Sequence, residues 1–195
     1  MHTLRTTFSA VCFALGFATS VSAMAAQAGS AQQVLFQSDG LIPNSRLPVL
    51  IYRNVPLDGD KAAAFEQLFT RNGWPAQWRA GIFDYHHYHS NAHEVLGVAS
   101  GTARITLGGE HGEHFDIGPG DVLVLPAGTG HRRIEQSSDF MVVGAYPRGQ
   151  ESYDIQRADR TTLAAAQARI AQVPMPEADP VTGRQGVLMS VWARL

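Results

Sequence analysis

The feature that most constrains this chain is a pair of glycine-framed motifs that carry four metal-ligating side chains. The first motif reads Gly81-x5-His87-x-His89-x4-Glu94-x6-Gly101, and the second reads Gly120-x5-Pro126-x-Gly128-x2-His131. Three imidazoles and one carboxylate form a mixed nitrogen and oxygen ligand set that suits a divalent transition metal. The spacing therefore predicts a metal site in which a downstream strand returns beside the first pair of histidines.

Strand geometry supports the pairing of His87 with His89, because residues i and i+2 of a β-strand point to the same side. On a predicted strand over residues 82–89, Tyr85 would share that side. The same parity does not choose between His93 and Glu94 as the next ligand, because apolar residues flank both of them. Both remain alternatives at this level.

The segment from 81 to 146 is built from short β-rich runs with Gly, Pro, Asn and Asp between them, which predicts a sandwich or barrel. Earlier strands are expected at residues 34–36 and 47–52. The runs of the main segment are 82–89, 94–99, 103–107, 114–117, 121–125 and 140–146.

Helices are predicted on both sides of this segment. Residues 61–71 follow Asp60, a typical N-cap, and end at Asn72-Gly73. An Ala-rich helix is predicted at 160–171 with Asp159 as its cap. The tail at 187–192 is too apolar for a free end, so we expect it to dock on the barrel or on a second subunit of a homodimer.

The first 25 residues are typical of a secretory signal, with an apolar stretch at 8–21 and cleavage after Ala23 or Ala25. The stretch is short for a membrane span of about 20 residues, so we expect an exported, periplasmic protein without a stable membrane anchor. Cys12 is the only cysteine and lies in the signal, which removes thiolate from the predicted ligands. Residues 26–33 are expected to form a flexible lead.

The remaining residues, 34–195, are expected to form one domain, with a metal-binding core at 81–146 and a C-terminal helix and tail at 147–195. Hydrophobic residues make up 45% of the chain and charged residues 16%, enough for a well-filled core. With a formal net charge of −2, the chain lacks the excess of basic residues that is typical of a nucleic-acid binder. A small molecule is therefore the expected partner.

The two motifs resemble those of the cupin superfamily at every fixed position except Glu135, where asparagine is usual. The chain is also similar to the YjlB-like bacterial single-domain cupins through the runs Asp-Gly-Leu-Ile-Pro-Asn at 39–44, Gly-Ile-Phe-Asp-Tyr-His-His-Tyr-His-Ser at 81–90 and Asp-Pro-Val at 179–181. The resemblance implies an all-β, double-stranded β-helix, or jelly-roll barrel. It also implies that one metal lies near the barrel mouth and favours Glu94 over His93; the implied ligands are His87, His89, Glu94 and His131.

The ligand set fits one divalent ion, and Mn, Fe, Ni, Cu or Zn would each be compatible with it. Four protein ligands leave two positions open on an ion that prefers six, as substrate binding requires. The leading hypothesis is a metal-dependent enzyme for a small oxygenated or carboxylate substrate, of dioxygenase, decarboxylase or isomerase type. The alternatives are a non-enzymatic, metal-assisted binding protein and a barrel that the metal only stabilises.

Two further groups of side chains are candidates for roles beside the metal. Tyr85, His93 and Glu135 could support the ligands or move protons. Arginines can clamp an anionic substrate through charge-assisted hydrogen bonds, although a solvated surface position is the simpler interpretation of each. The candidates are Arg132 and Arg133, which directly follow a ligand, and Arg104 and Arg79.

Overall fold

The computed structural model describes residues 30–193, so the predicted signal and half of the predicted lead, residues 26–29, lie outside the described residues. In this part of the chain, helices α1 (Lys61–Arg71), α2 (Leu163–Ile170) and α3 (Val187–Trp192) surround two sheets. The strands are β1 (Gln32–Val34), β2 (Val49–Tyr52), β3 (Ala76–Ala80), β4 (His87–Tyr88), β5 (Glu94–Ser100), β6 (Ala103–Leu107), β7 (Glu113–Ile117), β8 (Val122–Leu125), β9 (His131–Gln136), β10 (Met141–Ala145) and β11 (Gln156–Arg157).

The strands form two antiparallel sheets that pack face to face, which confirms the predicted jelly-roll barrel. One sheet has the strand order β1-β2-β8-β5-β10-β3, and the other has the order β11-β4-β9-β6-β7. Side chains from both sheets, such as Leu96 and Leu123 on one side and Ile105 and Phe115 on the other, share one buried cluster. The interior of the barrel therefore lies between the sheets, and the inward face of every strand can reach it.

The outer face of the six-stranded sheet is also buried, because α1 and the C-terminal tail cover it. Phe65 and Phe69 of α1 and Trp192 of α3 are almost fully buried there. Burial of one such side chain contributes about 1.5–3 kcal/mol. Gly97 of β5 permits the close approach, since a Cβ atom at that position would lie 2.8 Å from the Phe65 ring.

The first predicted helix is confirmed at both ends. The Asp60 side chain accepts a 2.9 Å hydrogen bond from the backbone N–H of Ala63, and the cap at the other end is Asn72. The second helix was predicted too long. It begins at Leu163 because Asp159 accepts a hydrogen bond from the Thr161 N–H and closes a turn, so Asp159 does not cap the helix.

The strand predictions differ from the structure in several places, and β9 and β11 were not among the predicted runs. Residues 82–86 are irregular, so the strand expected over 82–89 is reduced to β4. The first strand occupies Gln32–Val34 and not 34–36, so it begins in the expected flexible lead, because these residues pair with β2. Strand β3 was not predicted, although Ala76, Trp78 and Ala80 alternate with the polar Gln77 and Arg79; it forms an edge by pairing with β10.

The C-terminal tail docks on the barrel of its own chain. Asp179 is fully buried and accepts hydrogen bonds from the Tyr52 hydroxyl and from the N–H groups of Val181, Thr182 and Leu188. The Trp192 indole donates a 2.9 Å hydrogen bond to the Pro48 carbonyl. Within the described residues, no helix has the length and apolar character needed to cross a membrane.

Candidate metal centre

The pairing of β4 with β9 brings the two sequence motifs together. His87 and His131 are direct partners in this antiparallel pair, and their ring centroids are 4.0 Å apart. His89 follows β4 and is also buried. The five-stranded sheet thus supplies all three imidazoles, as the return of a downstream strand to the first pair requires.

Glu94 reaches the same point from the opposite sheet. It is the first residue of β5 and shares its inward face with Leu96 and Val98. His93 lies on the other face, where its ring packs against Trp192 and its Nδ1 accepts a 3.0 Å hydrogen bond from the Ala127 N–H. The structure therefore places Glu94, and not His93, beside the histidines.

Backbone carbonyls orient all three imidazole rings. Nδ1 of His87 lies 3.2 Å from the Tyr85 carbonyl oxygen, and Nδ1 of His131 lies 3.0 Å from that of Thr129. Nδ1 of His89 contacts the carbonyl oxygen of Asp154. Because a carbonyl only accepts, each Nδ1 carries a proton, so that in the neutral ring Nε2 presents a lone pair, which is the arrangement a metal-binding histidine needs.

The free ends of these side chains converge in a buried space. One ligand atom from each of the three histidines lies within 4.8 Å of the others. The Glu94 carboxylate lies 3.3 Å from Nε2 of His89 through Oε1 and 3.3 Å from Nε2 of His131 through Oε2. His89 Nε2 and Glu94 Oε2 are buried without a hydrogen-bond partner. Orphaned polar atoms of this kind fit a metal ion, so the three histidines form a group that could hold one.

The electrostatics of the cluster place an ionised Glu94 beside a neutral His87 and a more basic His89. Burial, with a contribution from neighbouring His131, lowers the pKa of His87 to about 2, so this imidazole is neutral at physiological pH. Burial raises the pKa of Glu94, but the charge on His89 and the contacts with both histidines bring it well below the usual carboxyl value. Glu94 is therefore ionised. Burial lowers the pKa of His89, but Glu94 outweighs it and the net shift is upward.

Hydrogen bonds to Asn44 of the N-terminal segment and to His89 hold the loop that leads into His131. Gly128 has a φ of +94°, and its N–H donates a 2.8 Å hydrogen bond to the His89 carbonyl. Asn44, the last residue of the 39–44 run, accepts a 3.1 Å hydrogen bond from the Gly130 N–H. Its amide also donates a 2.9 Å hydrogen bond to the Gly108 carbonyl. These bonds fix the loop whose Thr129 carbonyl orients His131.

A tyrosine that the sequence analysis did not single out contacts the carboxylate directly. The Tyr146 hydroxyl donates a 2.5 Å hydrogen bond to Oε1 of Glu94, and the Trp78 indole donates a 3.2 Å hydrogen bond to that hydroxyl. Gly144 makes room for the indole, since a Cβ there would lie 2.1 Å from Trp78. The strand predicted over 140–146 could have identified Tyr146, because Tyr146 lies on the same strand face as the inward-facing Val142.

The loop between β10 and β11 closes over His89. The Asp154 carboxylate accepts hydrogen bonds from the Ser90 N–H, at 2.6 Å, and from the Ser90 hydroxyl. Arg169 of α2 donates a 2.7 Å hydrogen bond to the same hydroxyl. In this loop the Tyr153 ring stacks on Tyr146, with 4.0 Å between centroids and 12° between planes. No sequence motif marked Tyr153, because its position depends on the Asp154 clamp.

A cavity of about 240 Å³ opens above the cluster. Its lining combines the four predicted ligands with apolar and aromatic side chains from β3, β5, the segment before β4 and the β10–β11 loop. The lining residues are Trp78, Ala80, Gly81, Ile82, Phe83, His87, His89, Glu94, Leu96, His131, Tyr146, Tyr153 and Ile155.

Three candidate supporting residues do not line this cavity. Tyr85 was expected on the inward face, but the irregular backbone at 82–86 turns its ring outward, where it stacks on Phe83 and lies 3.7 Å beneath the Arg157 guanidinium. His93 points away, as described above. Glu135 is exposed on β9 in register with Arg104. The support for the cluster comes instead from Tyr146 and from backbone carbonyls.

The four candidate arginines are engaged elsewhere, so the structure does not assemble the expected anion clamp. Arg79 pairs with Glu66 at 2.6 Å and Arg104 with Asp116 at 2.9 Å, all on the surface. Arg132 lies 3.9 Å from Glu110, and Arg133 donates a 3.1 Å hydrogen bond to the Ile82 carbonyl. The acidic partners lie far away or on other elements, and the sequence pattern did not reveal them.

Comparisons with known proteins agree with this architecture. Residues 79–143 match the family model described as "Cupin domain". The chain is 40% identical over 164 residues to "Uncharacterized protein YjlB" of Bacillus subtilis (strain 168), which covers 84% of this chain and 97% of the relative.

Two solved structures show weaker similarity. DMSP lyase DddQ from Ruegeria pomeroyi is 23% identical over 40% of this chain and 38% of its own, with a TM-score of 0.31. A variant of Bacillus subtilis oxalate decarboxylase is 22% identical over 60% of this chain and 27% of its own, with a TM-score of 0.29. The similarity thus spans less than half the length of either solved chain.

Proposed function

We propose that this chain, which belongs to the cupin superfamily and within it to the YjlB-like proteins, is a metal-dependent enzyme acting on a small oxygen-bearing substrate. One observation carries the proposal. Three buried imidazoles have Nδ1 turned to backbone carbonyls and their ligand atoms gathered within 4.8 Å of one another, while Nε2 of His89 and of His131 each lie 3.3 Å from one ionised carboxylate. This is the donor set and orientation of a site for a divalent transition metal.

His87, His89, His131 and Glu94 would hold the ion. A bound ion of this class supplies a Lewis acid or, where it is redox-active, a centre for oxygen chemistry. Tyr146 would hold Glu94 in place and keep one carboxylate oxygen hydrogen-bonded. The apolar lining would exclude water from the substrate. Dioxygenation, decarboxylation and isomerisation are the reaction classes we propose to test, with Mn, Fe, Ni, Cu and Zn as the candidate ions.

The test is metal analysis of the mature protein after incubation with each of these ions and removal of excess metal. We expect about one equivalent of at least one ion per chain, and its loss in Glu94→Gln. Glu135→Gln is the matched control, because Glu135 is exposed and does not line the cavity. A wild-type protein that retains none of the ions would refute the proposal. Oxygen consumption on substrate screening would then separate dioxygenases from the other classes.

A metal-assisted binding protein is the second candidate, and the composition of the cavity favours it. Besides the four proposed ligands, the polar groups of the lining side chains are the hydroxyls of Tyr146 and Tyr153 and the Trp78 indole. None of these groups can act as a general base at neutral pH in its protonated form. Burial, together with the Glu94 charge, raises the pKa of Tyr146, so its hydroxyl stays protonated. Recovery of a co-purified ligand chemically unchanged after prolonged incubation with the loaded protein would favour this candidate.

We further propose that the chain is exported to the periplasm and forms a homodimer. Support for export comes from the signal-like sequence at 1–25. N-terminal sequencing of the protein from a periplasmic fraction would test it, with Met24 or Ala26 expected as the first residue. Light scattering at several concentrations would test the dimer, and a mass of one chain throughout would refute it.

A further inference from the structure

We propose that the ligand of this site carries a flat, apolar ring beside its metal-binding oxygen and no charged group elsewhere. Small dicarboxylates would be excluded. This inference rests on the proposed function, since it specifies what binds at the same metal, but its main evidence is the wall of the cavity and not the ligand cluster.

The walls are apolar and largely aromatic. Trp78, Phe83, Tyr146 and Tyr153 contribute rings, and Leu96 contributes an aliphatic floor. The stacked rings of Tyr146 and Tyr153 are almost parallel, and the His89 ring meets Tyr153 edge-on at 5.1 Å. Aromatic walls favour ring-shaped partners, because stacked and edge-to-face contacts add to the gain from burial.

The volume fits a substituted ring. The cavity measures about 240 Å³, and a dry apolar cavity of about 150 Å³ is sufficient to bind benzene. The additional space accommodates the oxygen substituent that would reach the metal. A dicarboxylate of two to four carbons would leave most of the apolar wall without a partner.

The cavity wall disfavours a charged group on the part of the ligand that lies away from the metal. Of the described residues, no lysine or arginine lines the cavity. Arg133 lies two residues after His131, but its guanidinium donates a hydrogen bond to the backbone carbonyl of Ile82, a residue of the cavity wall. The second carboxylate of a dicarboxylate, away from the metal, would therefore enter the apolar wall without a cationic partner, which is strongly unfavourable.

The mouth of the cavity is apolar as well. Phe83 is 46% exposed and Ile155 is 47% exposed, and both line the cavity. An apolar rim that continues an apolar interior provides a route by which a ring could enter without crossing charged groups. Ile134 is similarly exposed, at 41%, but does not line the cavity, so it offers a matched control.

The test compares two ligands with the same metal-binding group. Benzohydroxamic acid and acetohydroxamic acid differ by a phenyl in place of a methyl group, and calorimetry on the metal-loaded protein measures both. We expect the phenyl compound to bind at least about 10-fold more tightly, as a hydrophobic pocket discriminates extra apolar surface. Ile155→Ala should weaken benzohydroxamate about 5-fold and leave acetohydroxamate within about 2-fold. Ile134→Ala should change neither.

A second measurement uses the metal-free protein at pH 8. Saturation-transfer NMR with 4-methylphenol should show binding that Ile155→Ala reduces and Ile134→Ala preserves, whereas succinate should give no signal. Equal affinities for the two hydroxamates on a protein with one bound metal would refute the inference and leave the proposed function standing. A protein that retains no metal but binds 4-methylphenol would refute the proposed function and support recognition of the ring. Binding of succinate without 4-methylphenol would overturn the inference.

Discussion

The Tyr146 hydroxyl donates a 2.5 Å hydrogen bond to Glu94 inside a cluster whose other carboxylate oxygen has no hydrogen-bond partner. The bond therefore determines which oxygen of Glu94 stays available. It also joins the cluster to the cavity wall, because the Tyr146 ring carries the stacked Tyr153. A substitution at Tyr146 should consequently change the affinity of the site for a metal ion.

Tyr146→Phe should weaken metal binding. The variant keeps the ring and its stacking but leaves Oε1 of Glu94 without its donor, and loss of such a supporting bond lowers metal affinity about 10-fold or more. Competition with a chromophoric chelator measures the change. Tyr153→Phe is the matched control, since it removes a hydroxyl from the other ring of the stack. Equal metal affinity in wild type and Tyr146→Phe would show that the bond has no role in holding the ligand.

The pH dependence of stability should contain a contribution from His93. Burial lowers the pKa of His93 to about 4 in the folded protein, against about 6.5 in the unfolded chain. Between these values only the unfolded chain binds the proton, so the free energy of unfolding falls as the pH falls. The contribution amounts to about 3 kcal/mol between pH 6.5 and pH 4.

Urea unfolding of chelator-treated protein at pH 7, 5.5 and 4.5 checks this expectation. His93→Asn keeps an acceptor for the Ala127 N–H but does not titrate in this range. The difference in unfolding free energy between wild type and variant should therefore shrink as the pH falls. A difference that is constant with pH would contradict the assignment of the acid sensitivity to His93.

Asp179→Ala should detach the C-terminal tail. Four donors, including the Tyr52 hydroxyl and the Leu188 N–H, would lose a buried acceptor, and unsatisfied buried groups cost about 1–3 kcal/mol each before relaxation. We expect a loss of at least about 3 kcal/mol in urea unfolding, together with a shift in Trp192 fluorescence toward that of exposed indole. Asp58→Ala, at an exposed position, should stay within about 0.5 kcal/mol of wild type. A stable variant with unchanged fluorescence would refute the role of Asp179.

Gly128→Ala should destabilise the protein more than Gly149→Ala. Both glycines have positive φ, at +94° and +84°, so both variants carry about 1–2 kcal/mol of backbone strain. Only at Gly128 would the new Cβ collide, 2.5 Å from the Asn44 carbonyl oxygen. Crowding of this kind adds about 1–3 kcal/mol, and it should also lower metal affinity by moving the loop before His131. Thermal unfolding and chelator competition on both variants measure the two effects; equal losses would contradict the expectation.

The sequence predicted those parts of the molecule that depend on local chemistry. The bounds of α1 follow from Asp60 and Asn72, and strands β5, β6 and β8 follow from turn residues and β-branched runs. The choice between His93 and Glu94 could not be made from parity, and the structure shows why. Strand β5 is covered on both faces, by the barrel interior and by α1, so apolar residues flank both candidates.

The features that the sequence did not predict depend on contacts between distant elements. The arginines remain candidates for anion binding at the level of sequence because their partners, such as Glu66 for Arg79, lie on other elements. Tyr153 enters the cavity wall only because Asp154 anchors its loop to Ser90. Period and spacing describe one segment at a time, and neither reports which segment will lie opposite another.

The three carbonyls that orient the imidazoles belong to Tyr85, Thr129 and Asp154, and a carbonyl is the one group that every amino acid brings. The protonation pattern of the histidines is thus independent of which side chains occupy those positions, provided that the main chain keeps its path. The cavity wall has no such protection, since its character changes with each substitution at 78, 83, 153 or 155. A lineage can therefore alter what the barrel accepts while the orientation of its histidines stays the same.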